Sequence, residues 1–133
     1  MGFGFKPPEN TGYQFEKPAV KALADKMIRV SQGRPNWDKL VKLMVKAKRL
    51  VDAYGARDRD LHRGIFQNLD RVKNDDWLSA FNFLVHIIIH PETASGTLNE
   101  LAESPGSFPW LRKFLSLKDA AKAVEELKQK LGI

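Results

Sequence analysis

Lys39, Lys42, Lys46 and Arg49 recur three or four residues apart within the stretch NWDKLVKLMVKAKRLVDAYG, which begins at Asn36. At about 100° per residue, the four cations fall within roughly 80° of arc on one side of a helix. A row of this kind does electrostatic chemistry. It can hold the phosphates of a polyanion, each cation displacing condensed counterions. An acid inside the row would signal internal pairing at i,i+4 instead, and none stands within it. Arg34, Arg57 and Arg63 lie off the row but in the same basic part of the chain, and they complete the set of candidate polyanion contacts.

Other groupings suggest less. His86 and His90 are one helical turn apart, a spacing that suits two metal ligands, with Glu92 and His62 as further donors in the sequence. A catalytic zinc site of the H-E-x-x-H type wants Glu after the first His, and Ile87 occupies that place. The expectation is two partly buried histidines that line or cap the core, and no metal. Arg57 and His62 fit the R-x4-H pattern of helical ribonucleases of the HEPN type, in which the His would be the acid or base and the Arg would steady the phosphate. The pattern is short, and eight arginines and three histidines give it many chances to arise. The pairs Asp58 with Asp60 and Asp75 with Asp76 sit at expected helix starts, where carboxylates are stabilising. No glycine-rich phosphate loop, nucleophile elbow or dinucleotide fingerprint occurs. The reading is therefore non-enzymatic, with no catalytic residue and no cofactor.

The elements that carry these residues read as helices. Pro18 opens a first helix running to about Gln32, with Gly33 as its stop. Asn36 caps the second and Gly55 ends it, with Trp37, Leu40, Met44, Ala47, Val51 and Tyr54 on its apolar face. Asp58 or Asp60 caps a third, which buries Leu61, Ile65, Leu69 and Val72. The fourth, from about Asp76 to His90, is apolar nearly all round and belongs at the centre, although a buried strand through Phe83 to Ile89 competes for the same residues. A short fifth helix covers Thr93 to Glu103 and a sixth Phe108 to Leu115. Ser116 caps the last, Leu117 to Leu131, with Asp119 in the capping-box position. Residues 1–17 carry Pro7-Pro8, three glycines, Phe3, Phe5, Tyr13 and Phe15, and read as an extended arm. The expected fold is all-α: residues 18–133 form a single compact bundle of six or seven helices behind that arm.

Charge and composition narrow the function. The net charge is +6, and the segment from Arg34 to Lys73, with eleven basic and five acidic residues, carries as much by itself. From Asn74 to Glu103 there are five acids and no base. The molecule is thus expected to have two electrostatic faces. The absence of cysteine excludes disulfides and thiolate metal sites. The run from Trp77 to Pro91 is too short to span a bilayer, and no signal peptide is visible. The start Met1-Gly2-Phe3-Gly4-Phe5-Lys6 departs from a myristoylation signal at Lys6. A soluble, intracellular protein is expected.

Leu69, Val72, Trp77, Ala80 and Leu84, followed by Trp110-Leu111-Arg112-Lys113-Phe114-Leu115, resemble the helical bundle domain shared by the steroid receptor RNA activator protein and the C-terminal part of the COPII outer-coat scaffold. The segment from Pro91 to Gly106 is longer here. The resemblance implies a non-catalytic interaction domain. The leading expectation is a binding module whose basic helix engages nucleic acid, RNA or DNA. The second is an assembly subunit, in which the basic face of one copy meets the acidic region of another or the arm joins copies in a homo-oligomer. The third is a small ribonuclease.

Overall fold

The computed structural model describes residues 13–133. Phe3, Phe5, Pro7-Pro8 and the myristoylation-like start lie outside the described residues. The rest is an all-α bundle: α1 (Pro18–Ser31), α2 (Trp37–Tyr54), α3 (Arg59–Gly64), α4 (Asp75–Ile89), α5 (Pro91–Glu103) and α6 (Ala120–Leu131). Short 3-10 turns at Phe66–Arg71, Pro105–Ser107, Pro109–Lys113 and Leu117–Asp119 join them. No strand occurs among the described residues, so Phe83 to Ile89 is helical.

Local chemistry sets most boundaries. Asn36 Oδ1 accepts from the Lys39 N–H at 2.9 Å, which satisfies one of the free donors at the start of α2. Asn74 does the same for α4, accepting from the Trp77 N–H at 3.0 Å, with Asp75 and Asp76 in the first turn against the positive end of the helix dipole. Gly55 ends α2 at φ +93°, a conformation that side chains disfavour. Pro91 stops α4 and also opens α5, so α5 starts earlier than Thr93, and His90 alone separates the two helices.

Alpha-4 is central. It packs against α2, α5 and the turns 66–71 and 109–113. Trp77, Ala80, Phe81, Leu84, Ile87 and Ile88 are buried on it. The Trp77 ring meets Phe114 edge-on with centroids 4.9 Å apart, and its indole N–H donates to the Gly33 carbonyl at 2.9 Å. The stop of α1 is therefore tied to the middle of the core. Full burial of such a side chain contributes roughly 1.5–3 kcal/mol.

Several expectations are corrected. The third helix does bury Leu61, Ile65, Leu69 and Val72, but it is not continuous. Regular helix ends at Gly64, and a 3-10 turn with Asn68 off helical geometry carries Leu69. The segment 108–115 forms a 3-10 turn over Pro109–Lys113 rather than a helix to Leu115, with Pro109 opening it. Ser116 makes no side-chain cap, and α6 proper starts at Ala120 after a separate 3-10 turn. Tyr54 is 44% exposed rather than buried, and Asp52, Ala53 and Gly55 beside it at the end of α2 are exposed too. Its ring lies under the Lys17 ammonium at 5.2 Å.

Asp60 departs furthest from its expected role. Asp58 is the cap of α3, accepting from the Leu61 N–H at 3.2 Å, while Asp60 is fully buried. Its carboxylate accepts from the Tyr13 hydroxyl at 2.7 Å, the Glu16 N–H at 3.0 Å and the Lys17 N–H at 2.7 Å. The Lys17 ammonium stands 2.8 Å from Asp58 and 3.9 Å from Asp60. Burial alone would raise the Asp60 pKa. The bonds from Tyr13, Lys17 and Glu16 outweigh it and hold the carboxyl below its usual value. Burial, then the bond to Asp60, pushes the Tyr13 hydroxyl up. Beside this anchor, Phe15 lies over Gly64, where a Cβ would come within 2.4 Å of its ring. The described end of the arm is thus docked on α3 by a carboxylate and an aromatic ring.

Candidate polyanion-binding groove

Alpha-2 buries Leu40, Val41, Leu43, Met44 and Ala47, with Trp37 and Val51 half-buried. That leaves Lys39, Lys42, Lys46 and Arg49 exposed, as the helical spacing predicts. Three of the four share one feature. Lys42, Lys46 and Arg49 line a groove of about 420 Å³ whose apolar floor is Val41 and Val45. Two further cations reach it from other helices, Lys26 on α1 and Lys130 on α6. Both helices pack directly on α2.

Among the described residues, the five cations are paired with no counter-charge. No acidic residue among those described lines the groove. Asp38 precedes Lys42 by one turn, the spacing of a helical pair, yet the two do not join. Lys48 differs: half-buried, it bonds Asp52 at 2.8 Å and is used up inside the helix. Each unrelieved like-charge pair at i,i+4 costs a few tenths of a kcal/mol. An anion in the groove would reverse that sign at every cation.

The remaining candidate residues are placed elsewhere. Lys39 is exposed but outside the groove. Arg34 lies between α1 and α2, Arg57 between α2 and α3, and Arg63 on α3; all are exposed and none lines the groove. Sequence reasoning missed Lys26 and Lys130. Each is one lysine on the polar side of its own helix, and only tertiary packing brings them to α2.

The histidines are exposed rather than lining the core. His86 and His90 have ring centroids 5.1 Å apart, and His90 Nδ1 is 3.6 Å from Glu92. Among the described residues, no group of three or more His, Asp or Glu is placed to hold a metal. His62 is exposed, with its Nε2 3.2 Å from the Gln67 amide nitrogen, and Arg57 makes no hydrogen bond or ion pair with it.

Elsewhere on the surface, Glu92, Glu100 and Glu103 line a polar groove along α5 with Thr93, Thr97 and Asn99. No helix among the described residues is long and apolar enough to cross a membrane.

Fold and surface together define an all-α bundle with a basic groove on one side and an acidic groove on α5. Compared with protein-family models, curated proteins and solved structures, the chain matches none.

Proposed function

We propose that this protein is a non-enzymatic helical binding module whose α2 face engages a polyanion, and that the polyanion is nucleic acid. One observation carries the reading: five exposed cations from three helices converge on one groove, with no acid in its lining and no ion pair to any of them among the described residues. Lys42, Lys46 and Arg49 act as phosphate contacts, with Lys39, Arg34, Arg57 and Arg63 adding to the field around them. Such contacts position a nucleic acid without specifying its sequence. The resemblance to an interaction domain of scaffold proteins agrees with a module that binds rather than catalyses.

The test is a fluorescence titration with short DNA and RNA oligonucleotides across a salt series. Log K is expected to fall with log salt by roughly 0.7 to 0.9 per phosphate neutralised, giving a slope of about −2 to −2.7 for these three contacts. Lys42→Glu with Lys46→Glu is expected to abolish binding at moderate salt and leave the helical circular dichroism intact, since both side chains are exposed. No binding by the parent at low salt, or a double variant that binds as well as the parent, overturns the proposal.

A second reading rests on the acidic groove of α5, which could receive the basic face of another copy. A salt-sensitive oligomer free of nucleic acid would favour it.

A further inference from the structure

We infer that the groove where α1, α2 and α6 meet takes the backbone of a single-stranded nucleic acid rather than a duplex, with Lys26 and Lys130 as contacts alongside Lys42, Lys46 and Arg49. The inference rests on the polyanion reading above and specifies the form of the ligand.

The first argument is shape. A helix that reads duplex DNA enters a major groove about 12 Å wide and must stand clear of its own protein to do so. Alpha-2 does not. It packs against α1, α4 and α6, and the three cations that concentrate its charge line a recess shared with two neighbouring helices. A duplex is stiff over about 150 base pairs and cannot bend into such a recess without cost. A single strand can, because its backbone turns at each nucleotide. The groove volume of about 420 Å³ is that of a small-ligand site, and a short run of sugar and phosphate fits it.

The second argument is spacing. With a rise of 1.5 Å per residue, Lys42 and Lys46 stand about 6 Å apart along the helix axis, and Lys46 and Arg49 about 4.5 Å apart. Long flexible side chains at that interval can meet successive phosphates of an extended strand. Lys26 and Lys130 approach from outside α2, so the strand is contacted by three helices rather than lying along one.

The third argument is what the lining lacks. Among the described residues it holds no Asn or Gln to pair with base edges, no aromatic ring to stack on them and no carboxylate to repel phosphate. Its apolar floor, Val41 and Val45, can face a sugar but reads no base. Binding is therefore backbone-directed and tolerant of sequence.

The experiment compares labelled oligo-dT with the duplex it forms with oligo-dA, by anisotropy at one fixed low salt. The protein variants are the parent, Lys26→Glu/Lys130→Glu, and a control, Lys113→Glu/Lys122→Glu. The control makes the same change in net charge at exposed positions outside the groove. The parent is expected to bind oligo-dT at least about tenfold more tightly than the duplex. The Lys26/Lys130 variant is expected to lose about tenfold or more of that affinity, and the control to lose only a small part of it. A duplex bound as tightly as the single strand overturns the inference, and so does a control as damaging as the groove variant. A groove variant that binds like the parent also overturns it. In all three cases the parent still binds, and the broader polyanion reading stands. Failure of the parent to bind either probe removes both. Circular dichroism and a melting curve on each variant separate loss of a contact from loss of the fold.

Discussion

Replacing Asp60 with Ala tests whether one buried carboxylate holds the described end of the arm on α3. Asp60 accepts from a hydroxyl and two backbone N–H groups, all donated from the five residues before α1. A buried donor left without a partner costs about 1–3 kcal/mol, so three of them would cost about 3–9 kcal/mol if the arm stayed in place. It need not stay, because lifting it returns the donors to water. The loss is then limited to what docking the arm contributes, chiefly the charge-assisted bonds and the part-burial of Phe15, which we put at about 3 kcal/mol. In urea unfolding followed by tryptophan fluorescence at pH 7, with a denaturant slope near 1.5–2 kcal/mol/M, the midpoint should fall by roughly 1.5–2 M. The pH dependence follows from the lowered pKa of Asp60. On acidification the unfolded chain takes up this proton first, below an ordinary carboxylate value of about 4, and only at lower pH does the folded protein follow. The difference between parent and variant should thus be fully present above about pH 4. It should shrink as pH falls through the folded value. A loss under about 1 kcal/mol at pH 7, or a difference that fades already between pH 7 and pH 5, refutes the assignment.

Two more substitutions probe the frame that carries the groove. Trp77→Phe removes the hydrogen bond to the Gly33 carbonyl and leaves space in the core, and should lower stability by about 2–3 kcal/mol in a urea titration; an unchanged midpoint would contradict the tie between α4 and the α1 stop. Gly64→Leu puts a side chain where the Phe15 ring lies and should cost about 1–3 kcal/mol, read as a drop in melting temperature; no drop would mean that Phe15 does not press on α3.

The sequence revealed features whose causes are local and hid those whose causes are distant. Asn36 and Gly55 act within a few residues of their own backbone, so the bounds of α2 are legible in the sequence. The apolar girth of α4 announced its central place for the same reason. The breaks at Ile65 to Val72 and around Pro109 were harder to see, because the apolar spacing continues through them while the backbone tightens to 3-10 geometry. Asp60 looks like a helix-start carboxylate in the sequence because its partners lie 43 to 47 residues earlier in the chain. The candidate site divides in the same way. Lys42, Lys46 and Arg49 follow from the periodicity of one helix, whereas Lys26 and Lys130 join them only when α1 and α6 pack on α2.

The reliance of the groove on α6 also bears on the order of events during synthesis. A nascent chain folds from its N-terminal end as residues emerge, at about 5–20 residues per second. When α1 and α2 have left the ribosome they offer Lys26, Lys42, Lys46 and Arg49. Lys130 follows only after α3, α4 and α5 have been made and α6 has packed on both α2 and α5. The complete cation set is therefore delayed until the fold closes, and a partly made chain presents a weaker field to the RNA that surrounds it during translation.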